Sequence, residues 1–178
     1  MPTPASNLER YIQTGDVVGE QYEVEDTIGY GAFGAIYSAL DRDTGERVAI
    51  KALPPISELD SETAPGRFRR ELKVIGQLVH EHIITLYDFG NTEDDVFYMV
   101  LEYVDGVTLD EYVRGKTISR ETALSLTRQI AEALEHAHAE GVIHRDLKPA
   151  NIMIFERRSG PVVKVLDFGM AKLLSRLG

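Results

Sequence analysis

The chain has 178 residues, of which 43% are hydrophobic, so it suffices for one domain or a domain plus a fragment and can bury a core. Its formal charge of −10 argues against a nucleic-acid binder, whose surface is basic. The absence of cysteine excludes a disulfide framework, a thiolate zinc site and a cysteine nucleophile, and fits a reducing cytoplasm, the compartment expected.

The N-terminus, MPTPASNLER, lacks the basic start and apolar core of a secretory signal. Residues 1–18 are polar, carry Pro2, Pro4 and Gly15, and read as a flexible extension. From Tyr22 the texture turns strand-like. Tyr22–Glu25, Ala35–Leu40 and Arg47–Ala52 are short, β-branched or aromatic, and separated by turn residues such as Asp43-Thr44-Gly45. Pro54-Pro55 and Pro65-Gly66 bracket a polar loop. A helix is predicted next, with Phe68, Leu72, Ile75 and Val79 at helical spacing. Two more strands fit Ile83–Tyr87 and Val96–Glu102.

Beyond this point the pattern becomes helical. Thr108-Leu109-Asp110-Glu111 has the form of a capping box and predicts a short helix. Ser119 can cap a long helix ending at Gly141, with Ala123, Thr127, Ile130, Leu134 and Ala137 along one face. Short strands around Ile152–Phe155 and Val162–Leu166 flank a turn at Ser159-Gly160-Pro161. No apolar run reaches the roughly 18 residues that a membrane-spanning helix requires.

Four stretches carry chemistry. Gly29-Tyr30-Gly31-Ala32-Phe33-Gly34 has the form G-x-G-x-x-G, a weak signal alone, since it also fits a plain glycine-rich turn or a dinucleotide fold. A dinucleotide fingerprint leads into a helix and meets an acidic residue about twenty positions on. Here the glycines lie between two strands, which favours a hairpin whose N–H groups approach phosphate oxygens. Lys51, in Val48-Ala49-Ile50-Lys51, sits in a strand otherwise fit for burial. Its ammonium either snorkels to solvent or pairs with Glu71 and is held against phosphates; Glu71 is off the Phe68/Leu72/Ile75 face and could equally be solvated.

His144-Arg145-Asp146-Leu147-Lys148-Pro149-Ala150-Asn151, followed by Asp167-Phe168-Gly169, is the strongest signal. Asp146 is the candidate base. An ordinary carboxylate cannot fully deprotonate a serine; it orients the hydroxyl and accepts the proton late. Lys148 can neutralise charge on a moving phosphoryl group. Asn151 and Asp167 offer the hard oxygen ligands that Mg²⁺ favours. Each residue alone fits a turn, but eight in this order plus the Asp-Phe-Gly exclude coincidence. His144 reads as a packed histidine rather than a metal ligand. His80, His82, His136 and His138, with no partner motif, read as ordinary loop or helix residues.

In these motifs the chain resembles the eukaryotic-type protein kinase family, and within it the Ser/Thr branch found in bacteria. The resemblance runs from about Tyr22 to Lys172. It implies an α+β, two-lobe kinase-like fold: a complete β-rich N-lobe with its hinge at 19–104 and only the first part of the helical C-lobe at 105–178. It implies ATP and Mg²⁺ as cofactors and a protein substrate bearing Ser or Thr; the acidic charge argues against a nucleic-acid partner, and the lack of a long apolar run against a membrane segment within these residues. Lys148 is what Ser/Thr kinases carry there. By the same likeness Ile28, Gly29, Tyr30, Gly31, Ala32, Phe33 and Gly34 would cover the phosphates. Ile36 (where the family prefers Val), Ala49 and Met153 would sandwich adenine; Glu102 and Val104 would bind it through backbone groups; Leu101 would be the gatekeeper. Lys51 and Glu71 would complete the catalytic set of Asp146 and Lys148, with Asn151 and Asp167 on the metal. Ile75, Leu86, His144 and Phe168 would stack into a hydrophobic column. Arg145 implies a phosphorylated activation loop, for which only Ser175 is available.

The family pattern continues well past Asp-Phe-Gly, whereas this chain stops nine residues after Gly169. A truncated fragment with impaired turnover is therefore expected, with a nucleotide-binding regulatory module as the alternative and a small-molecule phosphotransferase a third reading. The face of the Ser119–Gly141 helix would then lack its cover, at about 3–9 kcal/mol for two or three side chains.

Overall fold

Val, Ile, Tyr and Ala alternate between Tyr22 and Leu53, and in the computed structural model they form long antiparallel strands. Residues 12–31, 34–53 and 72–168 are described. They fall into two units, 12–31, 34–53 and 86–103 in the first, 72–85 and 104–168 in the second.

The first unit is a six-stranded sheet of β1 (Val17–Val18), β2 (Tyr22–Gly31), β3 (Gly34–Asp41), β4 (Arg47–Leu53), β5 (Leu86–Asn91) and β6 (Phe97–Glu102), in the order β1-β2-β3-β4-β6-β5. All pairings are antiparallel, and bulges interrupt β2 between Val24 and Asp26 and between Thr27 and Gly29. Side chains alternate between faces with a period of two. One face of the sheet supplies Tyr37, Ala39, Val48, Ile50, Ala52, Tyr98 and Val100 to a buried core. The other carries Ile36, Ala49, Lys51, Met99 and Leu101, because Ile36 pairs with Lys51, Lys51 with Met99, and Ala49 with Leu101. Ile12, only 2% exposed, joins the core, and β1 pairs with β2, so the loose extension expected over 1–18 is structured from Ile12 onward. Burial of an isoleucine stabilises by about 1.5–3 kcal/mol, which ties this segment down.

The second unit contains a helical turn at residues 72–75, then β7 (Val107–Thr108), α1 (Leu109–Val113), α2 (Arg120–Ala139), a 3₁₀ turn (Pro149–Asn151), β8 (Ile152–Arg157) and β9 (Gly160–Val165). The sheet order is β7-β8-β9. Thr108 closes a full capping box on α1: Glu111 N donates to Thr108 Oγ1 at 3.3 Å, and Thr108 N donates to Glu111 Oε2 at 2.9 Å. Ser119 Oγ caps α2 by accepting from Thr122 N at 3.1 Å. Gly141, at φ 74°, ends α2, with Gly141 N bonded to His138 O and Val142 N to Ala137 O.

Several sequence expectations shift. The face that α2 buries is Leu126, Gln129, Ala133 and Ala137, with Ile130 and Leu134 packed beside it; Ala123 and Thr127 are exposed. Ala137 is buried, and Ile130 and Leu134 are half-buried against the cluster that contains Val163 and Val165 of β9, so part of the face expected to be exposed is covered within the chain. Gln129 displaces an apolar residue from the stripe because it satisfies backbone groups: Oε1 accepts from Val163 N at 2.8 Å and Nε2 donates to Pro161 O at 3.1 Å. Val79 lies beyond the helical turn and is 74% exposed, since the chain leaves the helix at Gly76. The strand expected at Ile83–Tyr87 begins instead at Leu86, because Ile83 is diverted into a parallel bridge with Val165. Gly160, expected in the turn, opens β9. Phe68 and Ser175 lie outside the described residues.

Candidate functional site

In the first unit, β2 and β3 pair through Gly29–Ile36, Tyr30–Ala35 and Gly31–Gly34, leaving positions 32 and 33 between them. Ile28 and Tyr30 are exposed on this hairpin. The glycines divide by role. A Cβ on Gly29 would meet nothing within 4 Å, whereas one on Gly34 would fall on the backbone carbonyl of Ala52 in β4. Gly34 is therefore required by strand packing, and Gly29 is open toward space a ligand could use. Ile36, Ala49, Lys51 and Leu101 share one face, as the strand register dictates; Glu102 pairs with Val48 and belongs to the other. Ala32, Phe33 and Glu71 lie outside the described residues.

In the second unit the loop after α2 alternates inward and outward. Val142 and His144 are buried, Ile143 and Arg145 exposed. His144, 3% exposed, bridges two segments: its Nε2 donates to Leu166 O at 2.8 Å, and its Nδ1 accepts from Asp146 N at 3.3 Å. A carbonyl only accepts, which fixes the proton on Nε2. Burial, foremost, pushes the His144 pKa down, opposed by the bond to Leu166, so the ring is held neutral. The packed role expected for His144 holds, and Phe168 lies against it with ring centroids 4.8 Å apart and the planes tilted by 57°. Ile75 lies in this unit and Leu86 in the first.

Asp146, Lys148 and Asn151 are brought together. Lys148 Nζ donates to Asp146 Oδ2 at 2.7 Å. Asn151 Nδ2 donates to Asp146 O at 2.8 Å and to Asp146 Oδ2 at 3.1 Å. These donors, Lys148 first, hold the Asp146 carboxyl below its ordinary pKa, so it is ionised at neutral pH. Because Asp146 O can only accept, the amide of Asn151 is oriented with nitrogen toward Asp146, leaving Oδ1 as its acceptor atom. The 3₁₀ turn that presents Asn151 starts at Pro149, and Asn151 N donates to Lys148 O at 2.9 Å. Leu166 N donates to Asn151 O at 2.9 Å, which places Asp167 one residue from the Asn151 backbone. Arg145 and Asp167 adopt left-handed φ angles of 67° and 58°. For non-glycine residues this costs of order 1 kcal/mol each, and such strain persists where the surroundings impose it. Arg145 directly precedes Asp146, and Asp167 is itself an acidic position of the candidate site. An asparagine oxygen and a carboxylate are the hard donors that suit Mg²⁺, so the residues present fit that cation. Val104 and Met153, half-buried, also belong to this unit.

The histidines that read as ordinary loop or helix residues do lie in a loop and a helix, and three of them come together in the fold. His80, His82 and His136 form a ring cluster, with centroids 5.5 Å apart for His80–His82 and 5.1 Å for His80–His136. Burial, then the neighbouring His136, pushes the His80 pKa down. The spacing of His80 and His82 was the available signal, but His136 joins only through folding. No described helix is long and apolar enough to cross a membrane.

A profile of the protein kinase domain family matches residues 22–178. The chain is 38% identical over 166 residues to a probable serine/threonine-protein kinase PknB of Lactococcus lactis, covering 92% of this chain and 26% of that protein. It is 39% identical over 162 residues to the serine/threonine-protein kinase PrkC of Bacillus subtilis, covering 90% of this chain and 24% of that one. The chain thus spans about a quarter of the length of these relatives. Among solved structures, the PknI kinase domain of Mycobacterium tuberculosis superposes with a TM-score of 0.74 at 26% identity, covering 89% of this chain and 63% of that one. With its α+β elements, its Asp146–Lys148–Asn151 cluster and a profile match over most of its length, this chain belongs to the protein kinase family, and its relatives are serine/threonine kinases.

Proposed function

We propose that the chain binds ATP with Mg²⁺ and serves transfer of the γ-phosphoryl group to a Ser or Thr hydroxyl of a protein. The observation that carries this reading is the ionised Asp146 held between Lys148 and Asn151. In this reading 19–104 act as N-lobe and hinge and 105–178 as the first part of the C-lobe. Ile28, Gly29, Tyr30, Gly31, Ala32, Phe33 and Gly34 cover the phosphates and Lys51, with Glu71, holds them. Ile36, Ala49, Leu101, Glu102, Val104 and Met153 surround the adenine.

Asn151 and Asp167 would hold Mg²⁺, which when bound supplies charge neutralisation at the phosphates. Asp146 orients the acceptor hydroxyl and takes up its proton late in the transfer. Its lowered pKa makes it a weak base, so positioning outweighs deprotonation in its contribution. Lys148, already on Asp146 Oδ2, offsets charge developing on the transferred group.

The test is a pair of measurements on the purified chain: thermal shift with Mg-ATP, and transfer of radiolabel from γ-labelled ATP to a generic protein substrate. Stabilisation with transfer supports the reading. Stabilisation without transfer replaces it with a nucleotide-binding regulatory module, and neither effect overturns it.

A further inference from the structure

Strand β9 is bonded to β8 along one edge, and on its other edge it meets a short segment, residues 82–84, that belongs to no strand. Four bonds make this second seam. Val165 N donates to His82 O at 2.8 Å and Ile84 N to Val165 O at 3.0 Å. The buried Lys164 donates from Nζ to Ile83 O at 3.3 Å, and His82 donates from Nδ1 to Val163 O at 3.2 Å. The seam ends at Val165, two residues before Asp167.

His82 is the only described side chain of residues 82–84 that bonds β9, and its geometry is locked from several sides. It is 6% exposed. The Val163 carbonyl can only accept, so Nδ1 of His82 carries a proton. Its own N–H donates to His80 Nδ1 at 3.1 Å, and His80 is in turn stacked on His136 of α2. Its Nε2 lies 3.7 Å from Glu132 Oε2 on α2. One imidazole thereby ties the 80–84 segment, α2 and β9 together just ahead of a residue in a left-handed backbone conformation. A strained residue such as Asp167 holds its direction only if the strand leading to it is fixed.

We propose that His82 is a positioning residue for the metal ligand Asp167, setting the register of β9 through its Nδ1–H bond to Val163; this rests on the reading of Asp167 as a Mg²⁺ ligand. His82 touches neither nucleotide nor metal in this scheme. It stands one step further back than a residue bonded directly to a ligand, whose loss typically weakens metal binding about 10–100-fold, so an effect at the low end of that range is expected.

The experiment measures ATP affinity of the full chain with Mg²⁺ and again in EDTA, and takes the ratio. For His82→Ala the ratio is expected to fall about tenfold while the EDTA affinity stays near wild type. His82→Asn, whose amide N–H can reach the Val163 carbonyl, restores the ratio. Lys164→Met, which removes a second bond of the same seam, lowers it in the same direction and decides the matter if His82→Ala does not fold. A purely structural role would lower thermal stability and leave the ratio unchanged in each folded variant, which overturns the proposal. A wild-type chain whose ATP affinity ignores Mg²⁺ overturns the metal reading itself, so the two failures are distinguishable.

Discussion

Replacing Gly34 by alanine, and separately Gly29 by alanine, separates packing from ligand clearance within one motif. At Gly34 the new Cβ would land on the carbonyl of Ala52, a backbone atom that cannot swing away. Strand β3 must then retreat from β4 where Ala35 faces Ala52 and Ile36 faces Lys51. Overpacking of this kind costs about 1–3 kcal/mol. Each ladder hydrogen bond lengthened in the retreat loses up to about 1 kcal/mol more. A total near 2–4 kcal/mol follows, a large fraction of the 5–15 kcal/mol typical of a whole domain. At Gly29 the Cβ meets open space, so Gly29→Ala should stay within about 0.5 kcal/mol of wild type, as surface substitutions do. Its effect should appear as weakened ATP binding. Equilibrium urea unfolding gives both stabilities and a nucleotide thermal shift gives the binding. A Gly34→Ala chain as stable as wild type would refute the packing argument, and a Gly29→Ala chain that binds ATP normally would refute the clearance argument.

Gln129→Leu keeps the volume but strands the buried Val163 N–H and the partly buried Pro161 C=O, and should cost about 1–3 kcal/mol for the buried donor and less for the carbonyl that water can reach, read as a lowered urea midpoint. Stability should also fall on acidification. His144 and His80 have folded-state pKa values pushed below their ordinary value, so the unfolded chain takes up protons first as pH drops; their contribution is present above about 6.5 and is lost as pH falls below it. Thermal unfolding between neutral and mildly acidic pH checks the sign, and a melting temperature that rose on acidification would contradict it. Asp146→Asn removes the charge but preserves the shape and should lower phosphoryl transfer by about 10²–10⁴-fold with ATP binding retained, measured by label transfer beside thermal shift.

The motif residues were legible because their chemistry is local. Asp146, Lys148 and Asn151 lie within six positions, and the 3₁₀ turn at Pro149–Asn151 is enough to bring them into hydrogen-bond contact. The capping box at Thr108 and the Ser119 cap were equally readable, since a cap requires only residues three positions apart. The buried face of α2 was misjudged for the opposite reason. Periodicity counts apolar residues, but the stripe is centred where Gln129 can satisfy the backbone of β9, and that strand is more than thirty residues away.

From sequence alone came strands β2, β3, β4 and β6 of the first sheet, the helix caps and the acidic, basic and amide groups of the catalytic loop, because alternation, capping and short-range spacing are properties of neighbouring residues. Folding alone decided that Ile12 enters a core, that Gly34 is demanded by a carbonyl on the next strand, and that His80, His82 and His136 gather behind β9. Each of these depends on a contact between residues far apart in the chain, whose existence is set by strand register and helix packing rather than by any local preference.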